Sequence, residues 1–501
     1  MASKLARRGA RLVFAIALAL LSAVAQGTVA QGETRPVYGK TVVASLLEEP
    51  LVVDPVAARS HTDMTIISLL FDTLYRVERG TVVPHLAAHL PDISDPLKVS
   101  ISLRPGIRFH DGTSLRAQDV VSSLERLRKS DLGFLLEGIK SIRVGAKIEE
   151  RQLASIVLTL RQADPGLARR LADLHTSIVA RGKAPGWRRL VGSGAWRLHQ
   201  RSARKHTLTL KPFDDHFAGR VYLDSLVLNW YTNPDAEARS YEAGSSHISA
   251  RGDIAFAGHQ PKFATTAAQG EIAALAYLGF GTASPITGEA VFRRAVSGAI
   301  GRAGMSQIGS GETVAPTITA TPPRQSPRPF ALQANAKVAS QLLKSLANRY
   351  PAVEAKTLAL QLLVNVSRPD DSVIAARVAA GLYELGIATR IVSLSADVFA
   401  RRVGAGDCDL YIGQLAASGS PGLAQLRKAF VVGGKVKMAN KLLGQSRAGM
   451  ERQFATTMPI VPLFHRNLRL HIRSDVKGVA FTETETVDYP GIFIFGDPVK
   501  N

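Results

Sequence analysis

One cysteine, Cys408, stands in 501 residues. Its isolation excludes an intramolecular disulfide framework and any zinc site built on cysteines. Acidic residues are also short, 41 against 62 basic ones, for a formal charge of +21. Such an excess points first to a polyanionic partner. Neither a nucleic-acid motif nor a basic block accompanies it, so no nucleic acid is expected as partner. Long apolar runs are missing as well. The one strong run, Leu12 to Leu21, falls well short of the roughly 20 residues that cross a membrane.

Catalytic signatures are equally scarce. Gly39-Lys40-Thr41 resembles the end of a phosphate-binding loop, but Thr34 stands where its first glycine belongs. Gly404-Ala405-Gly406 begins a dinucleotide fingerprint, and Asp409 occupies its third glycine position. The chain has no G-x-S-x-G, no H-E-x-x-H and no local carboxylate pair suited to acid–base work. His85 and His89 form the sole i, i+4 histidine pair, and Pro84 and Pro91 beside them spoil a helical metal face. These absences predict a non-enzyme without cofactor or metal.

What is present is a globular composition, 46% apolar and 21% charged, long enough for two or three domains. Lys4, Arg7, Arg8 and Arg11 precede the apolar run, and Ala23-Val24-Ala25 follows it. That order predicts a cleavable secretory signal over residues 1–30 and a periplasmic mature protein. No cysteine stands at the cut, which argues against a lipid anchor. Without these residues the charge falls to +17, carried by dispersed, mostly arginine side chains.

Periodicity predicts a strand at Thr41–Ala44, a helix from Met64 to Tyr75, a strand at Val99–Leu103 and a helix from Ala117 to Arg128. Asp111-Gly112 signals a tight turn. Strands are expected between Ala195 and Trp230 and from Ala274 to Phe280. Five prolines within 316–329 mark an extended loop. Helices at 333–347 and 369–385 alternate with strands at 357–366, 387–394 and 409–413, the pattern of a helix-covered sheet.

A series of short segments then gains meaning from its order. Val53-Asp54-Pro55 is followed by Leu69-Leu70-Phe71-Asp72-Thr73-Leu74-Tyr75, Val83-Pro84-His85-Leu86-Ala87, and Leu103-Arg104-Pro105-Gly106 through to Asp111-Gly112. Later come Gly192-Ser193-Gly194-Ala195-Trp196-Arg197-Leu198, Phe217 to Asp224, Tyr277-Leu278-Gly279-Phe280, Phe292 to Arg302, and Pro459-Ile460-Val461-Pro462-Leu463-Phe464-His465. Each is weak alone. In this order over residues 40–495 the chain resembles the family-5 extracellular solute-binding proteins of ABC importers, the oligopeptide-, dipeptide- and nickel-binding group.

The resemblance implies an α/β, two-lobed periplasmic binding protein with hinge strands and an additional subdomain inserted in the first lobe. Lobe I would take 31–60, 190–276 and 466–501, the insertion 61–189, and lobe II 277–465. The hinge would lie near Tyr277–Thr282 and Pro462–Arg466. The implied partners are a small solute and an inner-membrane permease with cytoplasmic ATPases, the binding protein itself being a monomer. Arg59, Ser60, His61, Tyr277, Phe280, Ala417, Ser418 and Gly419 are the expected ligand contacts.

The chain departs from the family at the last of these. Peptide-binding members carry G-G-W-x-A-D-Y-x-D-P, whose first aspartate takes the peptide's α-ammonium. Here Gly413 to Pro421 reads G-Q-L-A-A-S-G-S-P, with Leu415 at the tryptophan position and Ser418 at the aspartate position. A hydroxyl accepts a hydrogen bond but does not neutralise a buried ammonium. The expected ligand therefore lacks a free α-ammonium and is neutral or anionic. The alternative is an interaction or sensory module that keeps the fold with an eroded cleft. The histidines do not cluster along the chain, so nickel binding gains no support.

Overall fold

The computed structural model describes residues 36, 38–146, 153–182, 185–252, 255–256, 261–263, 265–302, 305, 313–314, 334–416, 423–442, 445–482 and 486–495. The expected leader, the proline-bearing stretch 316–329 and Ala417-Ser418-Gly419 lie outside them.

Strand β1 (Thr41–Leu46) buries Val42, Ala44 and Leu46, as alternation on a covered face requires. Helix α1 spans His61–Leu70, starting three residues before the expected Met64 and ending well before Tyr75. Ser60 explains the early start. Its Oγ accepts the Asp63 N–H at 3.1 Å, capping the first turn. Tyr75 instead opens the hairpin of β2 (Tyr75–Glu78) and β3 (Thr81–Pro84).

Strand β4 (Lys98–Ser102), helix α2 (Ala117–Arg128), β5 (Ile139–Val144) and β6 (Ser155–Leu160) follow, with β6 central in a three-stranded sheet. The turn between β4 and α2 forms where Asp111-Gly112 predicts it. Gly112 has φ of +80°, which a side chain would strain. Asp111 Oδ1 accepts from the Thr113 amide and hydroxyl at 3.1 and 2.6 Å.

An antiparallel run comes next: β7 (Trp196–Ser202), β8 (Thr207–Pro212) and β9 (Ser225–Trp230). Then come α3 (Pro234–Glu242), the short β10 (Ile248–Ser249) and the 16-residue β11 (Thr265–Phe280). Further elements include α4 (Ala290–Ala299), β12 (Thr313–Val314), α5 (Ala336–Lys344), β13 (Ala359–Asn365), α6 (Asp370–Glu384) and β14 (Ala388–Leu394). They continue through α7 (Ala396–Ala405), β15 (Leu410–Ala416), α8 (Leu423–Val432), α9 (Val436–Lys441), α10 (Arg447–Thr457) and β16 (Val461–Arg473).

One large sheet unites these strands in the order β14-β13-β15-β11-β16-β10-β1-β9-β8-β7. Strands β13, β14 and β15 pair in parallel with helices between them, as the βαβ alternation implies. Strands β11 and β16 run antiparallel through the middle of the sheet. Thr265–Gln269 pairs with Arg473–Arg469 beside β10, whereas Ala274–Phe280 also carries β15 on its other edge. The register shifts between Gln269 and Ala274 and again at Ala276/Tyr277. The expected strand from Ala274 is thus the second half of a longer one.

Two apolar cores flank this crossing. One joins Trp196, Leu208, Leu228 and Trp230 with α1 and the C-terminal Tyr489 and Ile492. The other is continuous from Leu74 through Ile178 and from Leu275 to Phe464. The small sheet of β4–β6 therefore shares its core with the β13–β15 half. No helix of the described residues is long and apolar enough to cross a membrane.

Candidate functional site at the interlobe contact

The two halves of the sheet meet where the chain after β1, the turn at Asp173–His175 and helix α8 converge. Within α8, Leu426, Ala429 and Phe430 face the core. Their neighbours Arg427 and Lys428 therefore face across the contact. Arg427 lies 4.3 Å over the Phe134 ring and 2.6 Å from Glu137. Lys428 Nζ lies 3.1 Å from Asp173 Oδ2 and 3.4 Å from His175 Nδ1. Asp173 Oδ1 in turn is 2.6 Å from His175 Nδ1, and His175 Nε2 is 3.2 Å from the Ala58 carbonyl. Asp173, His175 and Lys428 are each at most 2% exposed.

Burial pushes the His175 imidazole down to about 4, and the adjacent Lys428 ammonium adds to the shift. Burial also lowers Lys428, with Asp173 opposing it. At neutral pH the His175 imidazole is consequently neutral, beside the Lys428–Asp173 contact.

A second set of ion pairs lies at the edge of β13. Arg368 reaches Asp371 at 2.8 Å and Glu48 at 3.5 Å, and Arg466 reaches Asp370 at 3.2 Å. Asp63 is different, since peptide groups rather than cations hold it. Its Oδ1 accepts from the Leu51 and Val52 amides, each at 3.0 Å. Burial outweighs these bonds and pushes Asp63 up to about 7.

The expected contacts fall into three groups. The Arg59 carbonyl accepts the Ala416 N–H at 3.0 Å, so Arg59-Ser60-His61 lies against the end of β15, while Ala417-Ser418-Gly419 fall outside the described residues. The Arg59 and Ser60 side chains have structural roles. Arg59 grips Asp131 with two contacts of 2.9 Å and donates to the Val56 and Ala58 carbonyls, and Ser60 caps α1. His61 is buried in the first turn of α1. Tyr277 is buried against Gly413, where an added Cβ would lie 2.3 Å from its ring, and packs edge-on to Tyr411. Phe280, three residues along β11, stands on the opposite face with the Arg293 guanidinium 5.9 Å from its ring. Tyr277 and Phe280 cannot line one cleft.

Periodicity and motifs did not single out Asp173, His175, Lys428 or Gln425. Gln425 Nε2 donates to the Ala416 carbonyl at 3.2 Å, and its buried Oε1 has no partner among the described residues. The Lys428–Asp173 partners lie 255 residues apart, so no local spacing reports them. The spacing Asp173-x-His175 was the one local signal, in a stretch that also carries Arg169, Arg170, Thr176 and Ser177.

The long shared strands and two-sided architecture define a two-lobed α/β binding-protein fold, and solved structures agree. The oligopeptide-binding protein AppA from Bacillus subtilis, in complex with a nonapeptide, superposes with a TM-score of 0.74 at 17% identity, covering 92% of this chain and 100% of that one. The Escherichia coli murein tripeptide binding protein MppA gives 0.73 at 20% identity over 91% and 98%. The model of the bacterial extracellular solute-binding proteins, family 5, matches residues 81–435, and the chain belongs to that family. In sequence, AppA is 23% identical over 227 residues, 42% of this chain and 40% of its own length. An HTH-type transcriptional regulator SgrR from Photorhabdus laumondii is 28% identical over 213 residues, 41% and 36% of the two chains. The matches thus span about two fifths of these curated relatives.

Proposed function

We propose that this chain is the exported solute-binding component of an ABC-type importer, closing about β11 and β16 on a solute that lacks a free α-ammonium. Removal of residues 1–30 would release it to the periplasm, where it would deliver the solute to a membrane permease. The reading rests chiefly on one observation. Four carboxylates of the interlobe contact already hold the chain's own cations: Asp173 has Lys428, Glu137 has Arg427, Asp131 has Arg59, and Asp371 has Arg368. A ligand ammonium would have to displace one of these pairs at the cost of burying its cation alone. Gln425, a neutral amide beside Ala416, suits a neutral or hydrogen-bonding ligand better. Ser418 in place of the family's aspartate agrees with this.

Calorimetric titration with di- and tripeptides, and with their N-acetylated forms, tests the reading. Binding is expected only without the free ammonium, and tight binding of unmodified peptides would sink it. A second reading, a sensory module without transport, draws support from the 28% identity to transcriptional regulators. Adjacent permease and ATPase genes would count against that second reading.

A further inference from the structure

Away from the interlobe contact, the structure contains a cavity of about 770 Å³ between the β2–β3 hairpin, the loop 216–222 and the C-terminal segment 481–490. Asp72 lines it and is 7% exposed. Its Oδ1 lies 2.8 Å from His85 Nε2. Its Oδ2 is buried and has no hydrogen-bond partner among the described residues. His216, 9% exposed, lines the same cavity, and its buried Nε2 is likewise without a hydrogen bond, 3.8 Å from Asp72 Oδ1. Two polar atoms with open valences thus meet at one cavity wall.

The surroundings narrow what would fill them. Burial alone would raise Asp72, but the imidazoles of His216 and His85 outweigh it and hold this carboxyl well below the ordinary range, so it is anionic. Yet no arginine or lysine pairs with Asp72 among the described residues. Of the cations lining the cavity, Arg76 is paired with Glu78, Arg220 with Asp214 and Asp224, and Arg79 forms no ion pair with Asp72. A metal ion is a poor fit, because no three His, Cys, Asp or Glu side chains among the described residues are placed to hold one. A buried anion with a free oxygen calls for a charged donor. An ammonium carries three N–H donors, one of which would reach Asp72 Oδ2. Phe71, Tyr222 and Phe481 supply carbon surface around it.

We propose that this cavity is a second ligand site, taking a small primary amine through Asp72 with His216 beside it. It is independent of the solute read for the interlobe contact, and its ligand carries the opposite charge preference.

Titrating the full chain with n-butylamine, putrescine and phenethylamine, each beside its alcohol analogue, tests this. Saturable binding of an amine is expected, with the alcohol weaker by about tenfold or more. Asp72→Asn and His216→Phe should each weaken amine binding by roughly 10- to 100-fold. Should either variant misfold, histidine ring resonances of the unmodified protein give the answer: amine should move His216 and His85 and leave His175 in place. Absence of saturable binding, equal binding of the alcohols, amine binding unaffected by both substitutions, or an unmoved His216 signal would each overturn the proposal.

Discussion

Buried aspartates sit beside histidines both at the interlobe contact and in the cavity beside the β2–β3 hairpin, but they are completed differently. Asp173 has Lys428 at 3.1 Å and His175 at 2.6 Å. Among the described residues Asp72 has only imidazoles, at 2.8 and 3.8 Å. The first aspartate is internally neutralised and binds two parts of the chain together. The second keeps an open oxygen facing a cavity. A carboxylate's residue type therefore says little about its role. What decides is whether the fold delivers a cation to it.

The sharpest way to break this comparison is to remove the Asp173 carboxylate. Asp173→Ala takes the carboxylate partner from the buried Lys428 ammonium and should cost about 3–5 kcal/mol in urea denaturation. Adding Lys428→Met should recover much of that loss, since an apolar pair removes the stranded charge. If the single and double variants were equally unstable, the ion pair would not be the reason.

Asp72→Asn should cost less, about 1 kcal/mol in the same measurement, because an amide oxygen still accepts from His85 and no cation is stranded. A loss as large as that of Asp173→Ala would mean that Asp72 has a hidden structural partner and would erase the contrast.

Titration separates the groups further. His175 is depressed to about 4, so as pH falls from about 6.5 the unfolded chain takes this proton before the folded one does. Its contribution to stability is present above about 6.5 and is lost as pH falls towards 4. Asp63, raised to about 7, works in the other direction. Its contribution is present below the ordinary carboxylate value near 3.8 and is lost as pH rises through 7. Melting curves across this window should show Asp63→Asn flattening the loss towards neutral pH. Ring signals of His175 should remain those of neutral imidazole at pH 5.5, and Lys428→Met should raise its titration midpoint.

The smallest effect belongs to Arg59 and Asp131, with side chains 23% and 38% exposed. Asp131→Asn should cost about 0–1 kcal/mol and become less distinguishable in high salt. A larger loss would place this pair with the buried contacts rather than at their rim.

Local pattern carried much of the fold. Helix α2 begins at Ala117 and ends at Arg128, where its apolar spacing predicts, because one stripe of Val120, Val121, Leu124 and Leu127 faces the core. Helix α1 shows where that reasoning slipped. Apolar spacing extended it to Tyr75, but the Ser60 cap and the hairpin pairing of Tyr75 with Pro84 moved both ends. The site was far less legible. Arg59, Ser60 and His61 do lie against the end of β15, yet Phe280 faces away from Tyr277, since residues three apart on a strand point to opposite sides. Asp173 and Lys428 gave no warning of each other.

By itself the sequence determined the family and many of the elements in their order, because hydrophobic period, turn chemistry and ordered motifs are local and survive along the chain. It also set the missing aspartate at Ser418 and the basic excess. Tertiary structure alone decided which charges are neutralised. Lys428 meets Asp173 across 255 residues, while Asp72 meets two histidines and, among the described residues, no lysine or arginine. Electrostatic completion depends on distances of a few ångströms in a medium of low polarity, and those distances exist only after the lobes have packed.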